Sequence, residues 1–493
     1  MKRQIAAAGL SAAVFLSTMT ACTSSPAQGA VRPKLDPNNP ISVEIWHYYN
    51  GPQKTAFDTL VTEFNETVGR EQGIIVEAFS QGNVDGLIDK VTDAAEKKVG
   101  AEEVPDIFAA YADTAYEVDK LGLLVDLSDY LTDEELALYR PEFISEGYLD
   151  DSGALKIFPV AKSLEVLMLN QTDWDKFAAA TGASLDELAT FEGVTHTAES
   201  YYNWTDSLTP EPDDGKSLFG RDAMANYFII GSRQLGVELF QGSGEDVVIQ
   251  ADKTVLRRLW DNYYVPFING WFSANSRFRS DDAHIGDIIA LVGSTSGASY
   301  FPTEVAVGDF DAYPIDCTVL PAPIFEGGER YATQQGAGMS VIQSTPEAEY
   351  ASVVFLKWFT DPERNAGFSA GSGYLPVTNQ ALDMDVIQTA LNGQTDEATA
   401  QRIGETLSVA LDVLDTHTLY TTRAFDGGNA CRSVLESSLS GLAVADRQAV
   451  LDLMSGGLSH DEAVAQFDTD AHFDEWYGQL VADLEAAHAM GNP

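Results

Sequence analysis

Cysteine is scarce. Three in 493 residues cannot staple a chain of this size, so a disulfide scaffold is excluded. Positive charge is scarce too. Lys and Arg total 29 against 75 Asp and Glu, a formal net charge of −46. Such a surface repels phosphate backbones and anionic lipid, which excludes a nucleic-acid binder. Beyond the first twenty or so residues no long apolar run exists, so no second membrane anchor is expected. Catalytic signatures are missing as well: H-E-x-x-H, G-x-x-x-x-G-K-[ST] and G-x-G-x-x-G are all absent. "GSTSG" (Gly293 to Gly297) puts Thr295 where a nucleophile elbow needs serine. The seven histidines are scattered without metal-ligand spacing, and "DTDAHFDEW" lacks the glycine of a calcium loop. No metal and no cofactor is expected. With so many carboxylates, spacing singles out no pair for glycoside hydrolysis.

What is present starts at the N-terminus. "MKRQ" is a basic n-region and "IAAAGLSAAVFLSTM" a short apolar h-region, the pattern of a secretory leader. "TAC" then ends at Cys22. A small residue before cysteine at that place resembles the bacterial lipobox, with Met19 where leucine is usual. The resemblance implies cleavage before Cys22, lipid on its sulfur, and attachment to the extracellular face of the cell membrane. An ordinary signal peptide cleaved nearby is the alternative. Residues 23–40, rich in Ser, Pro and Asn, read as a flexible tether. Cys317 and Cys431 remain, either bridged or buried as thiols.

The body, 45% hydrophobic and 10% aromatic, can build sizeable cores, and its length suits two or more domains. "ISVEIW" alternates like a strand. Pro52 then opens a helix whose face is Phe57, Leu60, Val61 and Phe64. "GIIVEAF", a helix through Leu87 and Val91, and "PDIFAAY" continue the alternation. Strand and helix in turn predict an α/β fold with a mostly parallel sheet. Ligands sit beyond the carboxyl ends of such strands, here "WHYYN", "SQGNVD" and "YADTAY". "LKIFPVAKSLEVLMLNQTDWDK" reads as a strand pair broken by Pro159, crossing between lobes. Pro346 and Pro362 each open a helix, the second ending at "GSGYLPVT". The last hundred residues read as helical, with a capping box at Ser459 and Glu462.

Several stretches in this order resemble the extracellular solute-binding proteins of bacterial ABC importers, in particular the sugar-binding group. They are "EIWHYYNG", "VPDIFAAYADTAYEVDKLGLLVDLSDYL", "FPVAKSLEVLMLN", "GSTSGASY", "TVLPAPIFEGG" and "FLKWFTDPERNAGFSAGSGYLPVT". The resemblance runs from about Ile41 to the C-terminus. It implies a two-lobed, periplasmic-binding-protein-like (type II) fold with hinge crossings. Lobe 1 would be 41–158 with 335–374 returning to it, and lobe 2 would be 159–334 with 375–493. A solute would be captured between the lobes and delivered to permease subunits by a monomer without catalytic activity. Within the group the likeness to glycerol-3-phosphate-binding proteins points to Asp85, Ser163, Ser296, Gly336, Tyr374 and Arg423 as ligand contacts. Two departures stand out: Asp426 replaces a family arginine, and Phe219, Arg221 and Tyr227 stand near a family tryptophan pair. A neutral sugar or oligosaccharide is therefore expected equally. It would stack on Trp46, Tyr48, Phe219 or Tyr374 and bond to Asp85, Asp113 and Arg423, with Arg221 compensating Asp426 if the ligand is anionic. His47 faces either cleft or core, and Trp271 is a further aromatic candidate. The rival classes are a surface glycan hydrolase using paired carboxylates, and an adhesin.

Overall fold

The computed structural model describes residues 30–308, 311–393 and 396–491. Cys22 and the leader lie outside them. Among the described residues no helix is long and apolar enough to cross a membrane.

Strands Ile41–His47, Ile74–Ser80 and Ile107–Ala110 form a parallel sheet in the order 74–80, 41–47, 107–110, and Gly338–Val341 adds an antiparallel edge. Helix Gly51–Phe64 follows the first strand. Pro52 sits in its first turn, where no backbone N–H is needed, and Phe57, Leu60, Val61 and Phe64 are its buried face. Helix Val84–Ala95 is capped by Asn83, whose Oδ1 accepts from the Gly86 amide at 2.8 Å.

The second sheet is mixed rather than mostly parallel. Its order is 317–321, 165–170, 290–294, 219–221, and only 219–221 runs parallel to its neighbour. Glu165–Asn170 is buried along its whole length, as befits a central strand covered on both faces. The expected strand pair around Pro159 is one strand only. Residues 155–163 make isolated bridges instead: Phe158 to Met339, Lys162 to Leu375 and Ser163 to Gln335. Proline lacks the donor that a continuous ladder requires.

These bridges lay three crossings side by side. The Ser163 amide donates to the Gln335 carbonyl (2.8 Å) and the Lys162 amide to the Leu375 carbonyl (3.0 Å). Gly336 has φ +87°, and a Cβ there would lie 2.8 Å from the Ala161 carbonyl oxygen. Both facts require glycine. Gly373, with φ 74°, closes helix Pro362–Ser372 and sends the chain into the third crossing.

Two cores result. The first gathers Val43, Ile45, Phe57, Phe108 and Phe359 around the parallel sheet. The second gathers Leu167, Phe219, Trp260 and Leu439 around the mixed one. Helices Gly428–Ser455 and Asp470–Met490 pack in the second. Leu375, Ile387, Leu391 and Leu407 pack in the first, together with Val166, Met168 and Val319 of the mixed sheet. Residues 375–393 and 396–414 therefore lie where the first core meets the mixed sheet. Cys317 and Cys431 are free thiols, and the Ser459–Glu462 capping box is present.

Candidate functional site

The carboxyl ends of strands 41–47 and 107–110 deliver a group of tyrosines. Tyr48 stacks on Tyr111, centroids 6.3 Å apart and 18° from parallel. Its hydroxyl accepts from the Ala337 amide (3.3 Å) and lies 3.3 Å from the Tyr374 hydroxyl. Tyr374 emerges from the Gly373 turn and packs against Phe368 (6.0 Å) and Tyr49 (5.9 Å). Burial pushes the Tyr48, Tyr111 and Tyr374 phenols up, so all three stay protonated and available as donors.

Asp113 lies two residues beyond Tyr111, in the first turn of helix Ala112–Lys120. It meets the N-terminus of helix Gly428–Ser455. A Cβ at Gly428 would lie 2.3 Å from Asp113 Oδ1, so glycine there leaves room for the carboxylate against the helix end. Asp113 is 6% exposed, and its Oδ1 has no hydrogen-bond partner. Burial raises its pKa to about 6, with the Arg432 charge opposing. Arg432, one turn into the long helix, donates to Asn226 Oδ1 (2.9 Å). Asn226 Nδ2 reaches Glu165 Oε1 (3.1 Å) and Gln335 Oε1 (2.9 Å). Arg221 Nη2 bonds both Glu165 oxygens (3.0 and 3.2 Å) while its guanidinium covers the Tyr227 ring at 4.9 Å. Lys162 pairs with Glu146 and donates to the Gly336 carbonyl (2.9 Å). Glu165 with Arg221 and Glu146 with Lys162 are thus matched buried pairs, as desolvation demands. Asp426, buried and paired with Lys120, still has Oδ2 unpartnered.

Contacts at the rim bring the lobes together. The Tyr300 hydroxyl donates to the Asn50 carbonyl (3.2 Å), and Gln53 Nε2 to the Ser296 carbonyl (3.3 Å). Asn429 Nδ2 donates to Thr114 Oγ1 (3.3 Å), and Arg423 Nη2 to Asp151 Oδ1 (2.8 Å). A cavity of about 30 Å³ remains beside Glu165, Arg221 and Asn226, room for roughly one water. A larger groove of about 380 Å³ opens at Ala112, Glu146 and Arg423. Among the described residues no group of three or more His, Cys, Asp or Glu is placed to hold a metal.

Two lobes closing over polar groups at strand ends, with three crossings beneath, is the architecture of a binding protein. Residues 59–394, well over half of the chain, match the family model of bacterial extracellular solute-binding proteins. The chain belongs to that family. Its members bind solutes and are not enzymes. No curated protein sequence matches this solute-binding protein. Among solved structures it is similar to a cyclic α-maltosyl-1,6-maltose binding protein from Arthrobacter globiformis, with 17% identity, TM-score 0.61, and 92% of this chain and 100% of that one covered. It is also similar to the GacH receptor of Streptomyces glaucescens (15%, 0.62, 90% and 98%). UgpB from Mycobacterium tuberculosis, solved with glycerophosphocholine, is a third (14%, 0.63, 90% and 99%). At such identities the similarity shows the two-lobed fold.

Against this frame the solute-binding protein sorts the residues marked in its sequence. The Tyr48 and Tyr374 hydroxyls meet, Asp113 faces the Gly428 helix end, and Arg221 reaches that helix only through Glu165, Asn226 and Arg432. Ser163 and Gly336 contribute through the backbone of the crossings, and Ser296 lies at the rim beside Gln53. Trp46 does not join them. It is 1% exposed, its Nε1 donates to Glu44 Oε1 (2.6 Å), and Lys90 covers its ring at 4.5 Å. Phe219 also offers no stacking face, because it packs on Phe272 at 4.8 Å in the second core. Tyr227 is core as well, its hydroxyl spent on the Leu259 carbonyl. Trp271 is half-buried at the edge of the same core. Asp85 is exposed on the first turn of helix Val84–Ala95. His47 stands behind the tyrosines: its Nδ1 accepts from the Tyr49 amide (3.1 Å), and burial lowers its pKa to about 4. It is neutral and faces the core. Arg423 sits on the rim, half-exposed.

Arg432, Asn226, Glu165, Glu146, Lys162, Gln335 and Tyr111 were not marked in the sequence. Two carried a signal. Tyr111 ends a strand beside Asp113, and Arg432 follows the "DGG" turn by one helical turn. The rest converge from four separate segments, which only the fold brings together.

Proposed function

We propose that this protein captures a neutral carbohydrate between its lobes and delivers it to the permease of an ABC importer, anchored by lipid on Cys22 at the outer face of the membrane. One observation carries the choice of a neutral solute. The N-terminus of helix Gly428–Ser455 is the natural seat for an anionic group. Asp113 and Asp426 stand at that seat, each with a buried oxygen that has no partner. A phosphate there would meet two carboxylates. A sugar hydroxyl would instead supply the missing donors, while the protonated Tyr48, Tyr111 and Tyr374 hydroxyls offer further hydrogen bonds. Neighbours named for maltose-type sugars and acarbose support the reading. The second reading, a glycerol-phosphate-type solute, draws on Arg432 within the cleft and on the glycerophosphocholine bound by one neighbour.

Thermal unfolding against a panel of neutral oligosaccharides and glycerol phosphates separates the two. A solute that binds only the folded state adds about RT ln(1 + [L]/Kd), ~4 kcal/mol at a thousandfold excess over Kd. Stabilisation by a neutral glycan alone is expected. Stabilisation by glycerol phosphates alone would transfer the assignment to the second reading, and turnover of any glycan would refute both.

A further inference from the structure

Part of the stretch expected to be a flexible tether is held against the first lobe. Residues 31–37 lie along it as a strap. The Val31 amide donates to the Asp129 carbonyl (2.7 Å), and Arg32 Nη2 to Glu135 Oε1 (2.8 Å). Glu135 also pairs with Lys357. Leu35 packs against the first core. Asp36 then turns the chain: its carboxylate accepts from the Asn38 amide (3.0 Å) and its carbonyl from the Asn39 amide (2.9 Å). Gly73 makes room for that turn. It has φ +79°, and a Cβ there would lie 2.4 Å from the Asp36 carbonyl oxygen, so a side chain would collide with the strap. Every partner of the strap named here belongs to the first lobe.

The strap follows the edge of the lobe that faces away from the cleft. One end meets Gly73, whose carbonyl accepts from the Ile41 amide (2.9 Å) where strands 41–47 and 74–80 begin. The other end meets the segment after Leu124. Leu124 bridges Ile342, and the Ile342 amide donates to the Asp106 carbonyl (2.9 Å) at the start of strand 107–110. All three parallel strands start on this side, and their far ends carry the cleft tyrosines. The seven residues of strand 41–47 set the two sides ~20 Å apart, at ~3.3 Å per residue. Cys22 and Ala30 are eight residues apart, a reach of at most ~29 Å at ~3.6 Å per residue. Asp129, Asp133 and Glu134 are exposed beside the strap. This face therefore gains nothing from anionic lipid, and acyl chains alone would supply its binding.

We propose that the strap fixes which way the protein stands on a lipid bilayer. The strand-start face of the first lobe is turned to the membrane and kept within the reach of the short remaining tether, the cleft opens outward, and the second lobe is the one that swings. The proposal rests on the lipid-anchor reading and goes beyond it by assigning the face and the lobe that the anchor holds.

Full-length lipidated protein on phosphatidylcholine vesicles tests it. A donor dye is attached at Glu134→Cys in the first lobe or at Glu211→Cys in the second, both exposed positions, in a Cys317→Ser background, with the acceptor on lipid headgroups. Glu211 lies just before the start of strand 219–221, whose other end faces the cleft. Energy transfer should be stronger from position 134 than from position 211. Gly73→Val sets a side chain against the strap, and Arg32→Glu sets a like charge against Glu135 without touching the core. Both should shrink that difference. Both should also speed tryptic cutting after the exposed Lys34 at least about tenfold, because a docked segment must open before a protease takes it. Equal transfer from the two positions in vesicle-bound protein overturns the orientation and leaves the anchor reading intact. Unchanged transfer and unchanged cutting in Arg32→Glu and Gly73→Val overturn the strap as its cause. Protein that never joins the vesicles overturns the anchor reading and the orientation with it.

Discussion

Asp113→Asn should make this protein more stable at neutral pH, although it removes a charge from the cleft. The reasoning follows from burial. With the lobes in contact, the Asp113 carboxyl is 6% exposed, one oxygen lacks any partner, and its pKa rises from the ordinary 3.8 to about 6. At ~1.36 kcal/mol per pH unit, holding it ionised costs ~3 kcal/mol. The sign is fixed by linkage. Between those two values the folded state binds more proton than the unfolded one, so stability falls as pH rises through about 6. The stabilising contribution is fully present below about pH 4 and gone by about pH 7. Urea unfolding of wild type and variant from pH 4 to pH 8 isolates this group from the other carboxylates. Asparagine keeps the shape and carries no charge, so the curves should coincide at pH 4. By pH 7 the variant should lead by up to ~3 kcal/mol. Asp222, raised to about 6 for the same reason but flanked by Arg279, serves as a second site. Curves that stay parallel at every pH, or a variant weaker at pH 7, would refute a buried carboxylate at the lobe contact.

Three further outcomes are expected. Lys162→Met should cost ~3–5 kcal/mol in urea unfolding, because it strands Glu146, 5% exposed, without its cation; a loss under about 1 kcal/mol would mean that water reaches Glu146 freely. Arg432→Lys should weaken binding of whichever solute stabilises the protein by about tenfold or more, the scale of one charged hydrogen bond, with the unfolding curve little changed; unaltered affinity by calorimetry would remove Arg432 from the site. Cys431, held as a thiol by burial that pushes it up to about 12, should resist alkylation until the protein unfolds, as peptide mass mapping would reveal; labelling in the native state would contradict that burial.

Much of the first lobe could be read from local pattern. Phe57, Leu60, Val61 and Phe64 recur at helical spacing, and all four face the core. The second sheet could not be read in the same way. Strand polarity depends on which segments pair, and Glu165–Asn170 lies antiparallel to partners more than a hundred residues away. Pro159 misled for a local reason: it interrupts a ladder that its neighbours would otherwise continue. The aromatic candidates divided on strand direction. Tyr48 lies past the end of its strand and reaches the cleft, whereas Trp46, two residues earlier, is still inside the sheet beside Phe79 and Phe108.

By itself the amino-acid sequence determined the α/β alternation, the proline-opened helices, the glycines at the crossings and the kinds of groups offered at strand ends. These depend on periodicity and backbone sterics, which act over a few residues. Only the tertiary structure decided which of those groups meet. Asp113 becomes a buried, unsatisfied acceptor because Gly428, over three hundred positions away, lets a helix end press against it. Arg432 enters the cleft because Asn226 and Glu165 hold it there. Charge pairing and desolvation are properties of assembled space, and no stretch of chain contains them alone.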